Sequence, residues 1–131
     1  MFRTLSIFFI FLLLNVSSVS SSNFNYGSGY AAKSVLASQS LINAMDKVDN
    51  RIYAVGEHGI ILYSDDFGDS WTQAESVPYT STLTDISCSS KKSCWVTGHD
   101  ATILHSNDQG VTWIKQYEDP DWDAPLLSIH M

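Results

Sequence analysis

The sequence predicts an all-β protein built from β-propeller blades. Three observations predict it. Short apolar runs alternate with turn residues at spacings of about ten residues, and no stretch holds a helical period for long. A block of the chain repeats without a gap at an offset of 42 residues. Both copies of the block contain the same turn motif, Ser-x-Asp-x-Gly-x-x-Trp.

The apolar runs are 41–44, 52–55, 60–63 and 71–74, then 83–88, 94–97, 102–105 and 113–117, and a last one at 126–129. Turn-forming residues fill the gaps, among them Asp49-Asn50, 65–70, 78–81, 107–110 and 119–125. Residues 53–73 laid over 95–115 match at seven of 21 positions: Gly56/Gly98, Ile61/Ile103, Leu62/Leu104, Ser64/Ser106, Asp66/Asp108, Gly68/Gly110 and Trp71/Trp113. Four short strands in about 40–50 residues make one blade. A sandwich has no reason to repeat a turn and a Trp at constant spacing. The expected units are blade one at 41–82, blade two at 83–124, and the inner strand of a third at 125–131.

The motif links the third and fourth strands of each blade. Asp66 and Asp108 are expected to accept hydrogen bonds from backbone N–H groups of the turn. Gly68 and Gly110 supply the positive φ that a tight hairpin needs. Trp71 and Trp113 open the last strand and cover the turn. With Ser64 and Ser106 these residues are assigned structural roles.

The motif is the Asp-box, or bacterial neuraminidase repeat. The surrounding text, from Val55-Gly56-Glu57-His58-Gly59 to Ser64-Asp65-Asp66 and from Trp95-Val96-Thr97-Gly98 to His105-Ser106, is more particular. It resembles the photosystem II stability/assembly-factor family of propellers over residues 41–131, with Ala101 standing where the first repeat has Gly59. The resemblance implies a non-enzymatic assembly factor that holds a protein partner, such as a membrane-protein subunit. It transfers no binding residue. Propellers use about four to eight blades, so two blades predict the N-terminal part of a longer propeller. The alternative is a chain that closes a ring by self-association.

The N-terminus reads as an export signal over residues 1–22: Arg3, an apolar run over 5–14, then small residues around Ser18-Val19-Ser20. A membrane span needs about twenty apolar residues, twice what is there. Export predicts a periplasmic or secreted protein, lumenal in a photosynthetic context. Residues 23–40, rich in Ser, Gly, Ala and Asn, form an N-terminal arm. Seven Lys and Arg face fourteen Asp and Glu, and losing Arg3 with the signal moves the net charge from -7 to -8. That balance excludes nucleic acid and anionic membrane surfaces as partners.

Other chemistry finds little support. Sialidases hold a carboxylate with an arginine cluster, and beyond the signal this chain has Arg51 alone. A sialidase- or glycosyl-hydrolase-like protein acting on or binding glycans is therefore the alternative reading, and no catalytic residue is assigned. No acidic pair has a reason to face its partner as glycosidases require. His58, His99, His105 and His130 lack zinc-hydrolase spacing, and no Gly-x-Ser-x-Gly elbow occurs. Residues 119–123 alternate acids like a calcium loop, but Ala124 replaces its Gly and His130 its terminal Glu. No metal or cofactor is expected. Cys88 and Cys94 flank a short hairpin. They are a disulfide candidate worth roughly 2 kcal/mol in the chain-entropy model, with free thiols or a Cys-Cys-His metal set as the other readings.

Blade topology places the motif turns at one end. The other end carries the second connections and the two links between blades. Loops on a rigid scaffold are where function concentrates. The candidate partner-binding face is therefore Glu57, His58, Tyr79, His99, Asp100, Asp119 and Trp122, facing a basic or polar partner.

Overall fold

The computed structural model describes residues 29–131. The expected export signal lies outside the described residues. Two four-stranded antiparallel sheets form, each with its strands side by side in chain order. Blade one holds β1 (Ile42–Val48), β2 (Arg51–Gly56), β3 (Ile61–Ser64) and β4 (Thr72–Gln73). Blade two holds β5 (Leu83–Ser90), β6 (Ser93–Gly98), β7 (Ile103–Ser106) and β8 (Ile114–Tyr117). Both motif tryptophans stand one residue before the outer strand rather than inside it.

In blade one the central strands β2 and β3 read as nearly continuous apolar text because residues on both of their faces are buried. On β2, Tyr53 and Val55 look toward blade two, while Ala54 looks the other way. With Ile61 and Ala74 they meet Leu83, Ile86, Cys94, Val96, Leu104 and Trp113 in one core between the sheets. Tyr53, Val55, Ile61, Leu83, Val96 and Leu104 are fully enclosed there, each worth about 1.5–3 kcal/mol of burial. Polar contacts tie the same seam. Asn43 Nδ2 donates to the Leu83 carbonyl at 2.8 Å, and the Cys88 N–H donates to the Asp46 carboxylate at 2.7 Å. The link after blade one passes the outer strand of blade two, where Glu75 N–H meets the Val111 carbonyl at 2.7 Å and Trp113 N–H the Ser76 carbonyl at 2.9 Å.

The far face of blade one is covered in part by the arm. Ala37, in a single 3₁₀ turn (Ala37–Gln39), packs with Ala54, Ile60 and Leu62, with Ile42 and Trp71 alongside. Gln73 pins the arm: its side-chain oxygen accepts from Ser34 N–H at 3.0 Å, and its Nε2 donates to the Ala32 carbonyl at 2.9 Å. Val35 nonetheless stays exposed. At the other end of the stack, residues 125–131 follow β5 much as β5 follows β1. The Thr84 hydroxyl donates to the Leu126 carbonyl, Ile129 N–H reaches the Asp85 carboxylate at 2.9 Å, and Met131 N–H reaches Ser87 Oγ at 3.2 Å.

One repeat position separates the blades. Gly59 and Ala101 both have left-handed backbone, at φ 70° and 48°. A Cβ on Gly59 would stand 2.1 Å from the Tyr79 carbonyl oxygen, because the link after blade one crosses directly above it. Gly59→Ala is therefore expected to cost about 2 kcal/mol or more, from the clash and the backbone together. Ala101→Gly relieves a left-handed alanine but gives the unfolded chain more freedom, so it should stay within about 1 kcal/mol of neutral. Urea unfolding of the two variants checks this; equal effects would mean that the crossing is not the constraint.

Candidate functional site

The two turns of the repeat have the same internal wiring. In blade one, Ser64 Oγ donates to Asp66 Oδ1 at 2.8 Å and accepts from Gly68 N–H at 2.8 Å. Asp66 in turn accepts from the Ser70 N–H at 2.9 Å and the Ser70 hydroxyl at 2.5 Å. Blade two repeats this with Ser106, Asp108, Gly110 and Thr112 at nearly the same distances. A left-handed residue followed by a glycine closes each turn: Phe67 and Gly68, Gln109 and Gly110. The Ser70 hydroxyl and N–H, then Ser64, pull the Asp66 carboxyl down to about 2. For Asp108, burial pushes upward, but Thr112 and Ser106 outweigh it and the carboxyl is again lowered. Both acids are committed to holding their own loops.

The same end of the molecule carries a clamp that the sequence does not announce. Arg51 grips Asp65 with two nitrogens, at 2.8 and 2.5 Å, and its third reaches across the seam to the Gln109 carbonyl at 2.7 Å. Its guanidinium lies over the Tyr63 ring, 4.4 Å from the centroid. The hydrogen bonds from Arg51 hold Asp65 below the ordinary carboxylate range, and Arg51 itself is raised. Lys91 adds a second tie across the seam, to Asn50 Oδ1 at 2.6 Å. No spacing signal links residue 51 to 65 or 109, since the contact is made by folding alone.

At the opposite end, the structure brings most of the candidate residues together through backbone contacts. Gly59 N–H donates to the Ser81 carbonyl at 2.7 Å, His99 N–H to the Thr82 carbonyl at 3.1 Å, and Asp119 N–H to the Asp100 carbonyl at 2.9 Å. Thus the turn at 57–59, the link at 75–82, the turn at 99–101 and the link at 118–125 make one continuous surface. His58, His99 and Trp122 are exposed on it, and Glu57, Asp100 and Asp119 are half-buried. Tyr79 is a correction. It is only 4% exposed, its ring belongs to the seam core, and its hydroxyl donates to the His99 carbonyl at 2.9 Å. It supports this surface from below rather than presenting itself on it. The link folds inward there because an aromatic side chain gains more by filling the top of the seam than by facing water.

Acids stand at both ends, while most of the cations gather at one. Glu57, Asp100, Glu118, Asp119, Asp121 and Asp123 lie at the candidate face, where Lys115 is paired with Glu118 at 2.8 Å. Lys47, Arg51, Lys91 and Lys92 lie at the other end, together with Asp49, Asp65, Asp66, Asp69 and Asp108. Asp119 also accepts from Asp121 N–H at 3.2 Å, an ordinary Asx turn. Among the described residues, no group of three or more His, Cys, Asp or Glu side chains is placed to hold a metal. Cys88 and Cys94, directly paired across the β5–β6 hairpin, are joined in a disulfide. Among the described residues no helix is long and apolar enough to cross a membrane.

Two antiparallel four-stranded sheets stacked on a repeated turn define blades of the β-propeller class. The fold is similar to the solved structure of YCF48 from Cyanidioschyzon merolae, with a TM-score of 0.56 and 23% identity. The match covers 70% of this chain and 31% of that one, so the chain spans about a third of the length of the structure that it matches. No family model matches the sequence. No curated protein matches it either.

The turn wiring has a pH signature. A carboxyl lowered in the fold stabilises it above the unfolded value, near 4, and that stability is lost as pH falls through the folded value, about 2 for Asp66. The melting temperature is therefore expected to fall between roughly pH 4 and pH 2. In Asp66→Asn/Asp108→Asn it should be lower at neutral pH and flatter across that window, with a residual slope from Asp65. Circular dichroism melts at several pH values test this; parallel profiles would show that the turns do not carry the effect.

Proposed function

We propose that this chain is an exported, non-enzymatic propeller scaffold that binds a protein partner and assists its assembly, like the photosystem II stability/assembly factors that its repeat resembles. One observation carries the reading: the loops opposite the motif turns form a single surface in which exposed Trp122 stands among acids. An exposed aromatic flanked by acids suits a basic protein surface, because desolvating the indole gives affinity and the acids select the partner. A binding role is favoured over a catalytic one by what the other charged groups already do. Asp66 and Asp108 close turns, and Arg51 clamps Asp65 and Gln109. In this reading the Ser-x-Asp-x-Gly-x-x-Trp turns are Asp-boxes with a structural task, residues 1–22 direct export, and the blades belong to a larger propeller.

Charge reversal separates the two ends of the molecule. Asp100→Lys/Asp119→Lys with Trp122→Ala should lower partner capture from the exported fraction by roughly a hundredfold, the scale of a two- to three-residue hot spot. Lys47→Glu/Lys92→Glu at the other end should leave capture within about twofold. Cross-linking mass spectrometry reads both. Equal capture by all variants, or loss only with the second pair, would overturn the assignment of the face.

A further inference from the structure

The β5–β6 hairpin is tied together twice. Its strands are already paired by backbone hydrogen bonds, yet Cys88 and Cys94, directly opposite one another, are also bonded through sulfur. The same hairpin is a seam element. The Cys88 N–H itself donates to the Asp46 carboxylate of blade one, and Lys91 at the tip reaches Asn50 of blade one. Between Cys88 and Ser90 the register with β6 shifts, so the regular ladder is interrupted just beyond the disulfide before Ser90 pairs with Ser93.

The two sulfurs have different surroundings. Cys94 is fully buried in the core between the blades, while Cys88 is half-buried at its margin beside the exposed tip at 89–90. A reductant therefore meets Cys88 from the solvent side. Once the two sulfurs have moved apart to van der Waals distance, Cys94 can stay where it is as a thiol, because a free cysteine is at home in an apolar core. We infer that the Cys88–Cys94 disulfide is a redox latch on the blade seam, opened by a dithiol reductant without unfolding the blades.

The exchange balances. A reductant thiolate attacks Cys88 Sγ, the Cys88–Cys94 bond breaks, and Cys94 leaves as a thiolate that takes up a proton. The reductant's second thiol then attacks its own sulfur in the mixed disulfide and releases Cys88 as a thiol. Two electrons and two protons reach the protein, and the dithiol ends as a cyclic disulfide. The released tip then holds Asn50 and Asp46 less firmly, while β2, β3, β6 and β7 keep their ladders.

Dithiothreitol titration of the native chain tests this, with thiol trapping and hydrogen-exchange mass spectrometry. The latch predicts reduction without denaturant and unchanged far-ultraviolet circular dichroism. Exchange should be roughly tenfold faster or more at 86–93 and 46–50, with β2 and β3 centres unchanged. Cys88→Ala/Cys94→Ala should reproduce the reduced pattern. Three results would overturn the inference: a bond that resists reduction until the fold is lost, loss of the whole fold on reduction, or a reduced protein with unchanged exchange at the seam.

Discussion

The seam between the blades depends on the missing side chain at Gly110. A Cβ there would stand 2.6 Å from Cε1 of Tyr53, so the turn of blade two lies directly on a tyrosine ring of blade one. The same glycine has φ 80°, which the turn requires in its own right. Two demands therefore meet at one residue. The turn must close so that Trp113 can cover it, with the indole Nε1 donating to the Gly110 carbonyl at 3.0 Å. It must also stay thin so that the blades can approach. Gly68, its counterpart in blade one, meets nothing closer than Trp71 at 3.7 Å. At that site the glycine answers only to the turn.

This explains why identical motifs end in different burial. Trp113 is enclosed because another blade stands on its side of the sheet, whereas Trp71 is only half-buried beside the arm and Ala37. The Ser and Asp of each motif have the same partners in both blades, since those contacts are local. Sequence sets the turn, and position in the stack sets what the turn touches.

The parts legible in the sequence are those whose causes lie within about ten residues. Strand runs, the turn glycines and the bonds of Asp66 and Asp108 follow from adjacent residue types, and the offset of 42 residues follows from copying such a unit. Arg51 shows where legibility stops. It reads as a solitary surface cation, yet it joins a turn 14 residues away to another 58 away. Tyr79 shows the converse. Proline and threonine around it read as an exposed link, but the core between two sheets has an open top, and the link is the segment that crosses it. The arm was legible only as composition; that Gln73 would hold it depends on where β4 ends.

The division of labour between the two ends follows from these same packing demands. At the motif end, the polar groups of the turns are used up on one another: Ser64 with Asp66, Asp66 with Ser70, Arg51 with Asp65 and Gln109. Such a surface resists rearrangement because each group given to a partner leaves another unpaired. At the opposite end the backbone does the holding. His99 and Asp100 give their carbonyls to Tyr79 and Asp119, so the loops are fixed mainly through backbone, with Asp119 closing its own Asx turn and Glu118 paired with Lys115. A loop anchored by its backbone keeps its side chains available at little entropic cost on binding, which is what preorganised recognition requires. The backbone that carries the acids and Trp122 is thus held mostly by contacts that do not compete with a partner. That difference supports the proposal that recognition belongs to this end of the blades, while the motif end is occupied with closing turns.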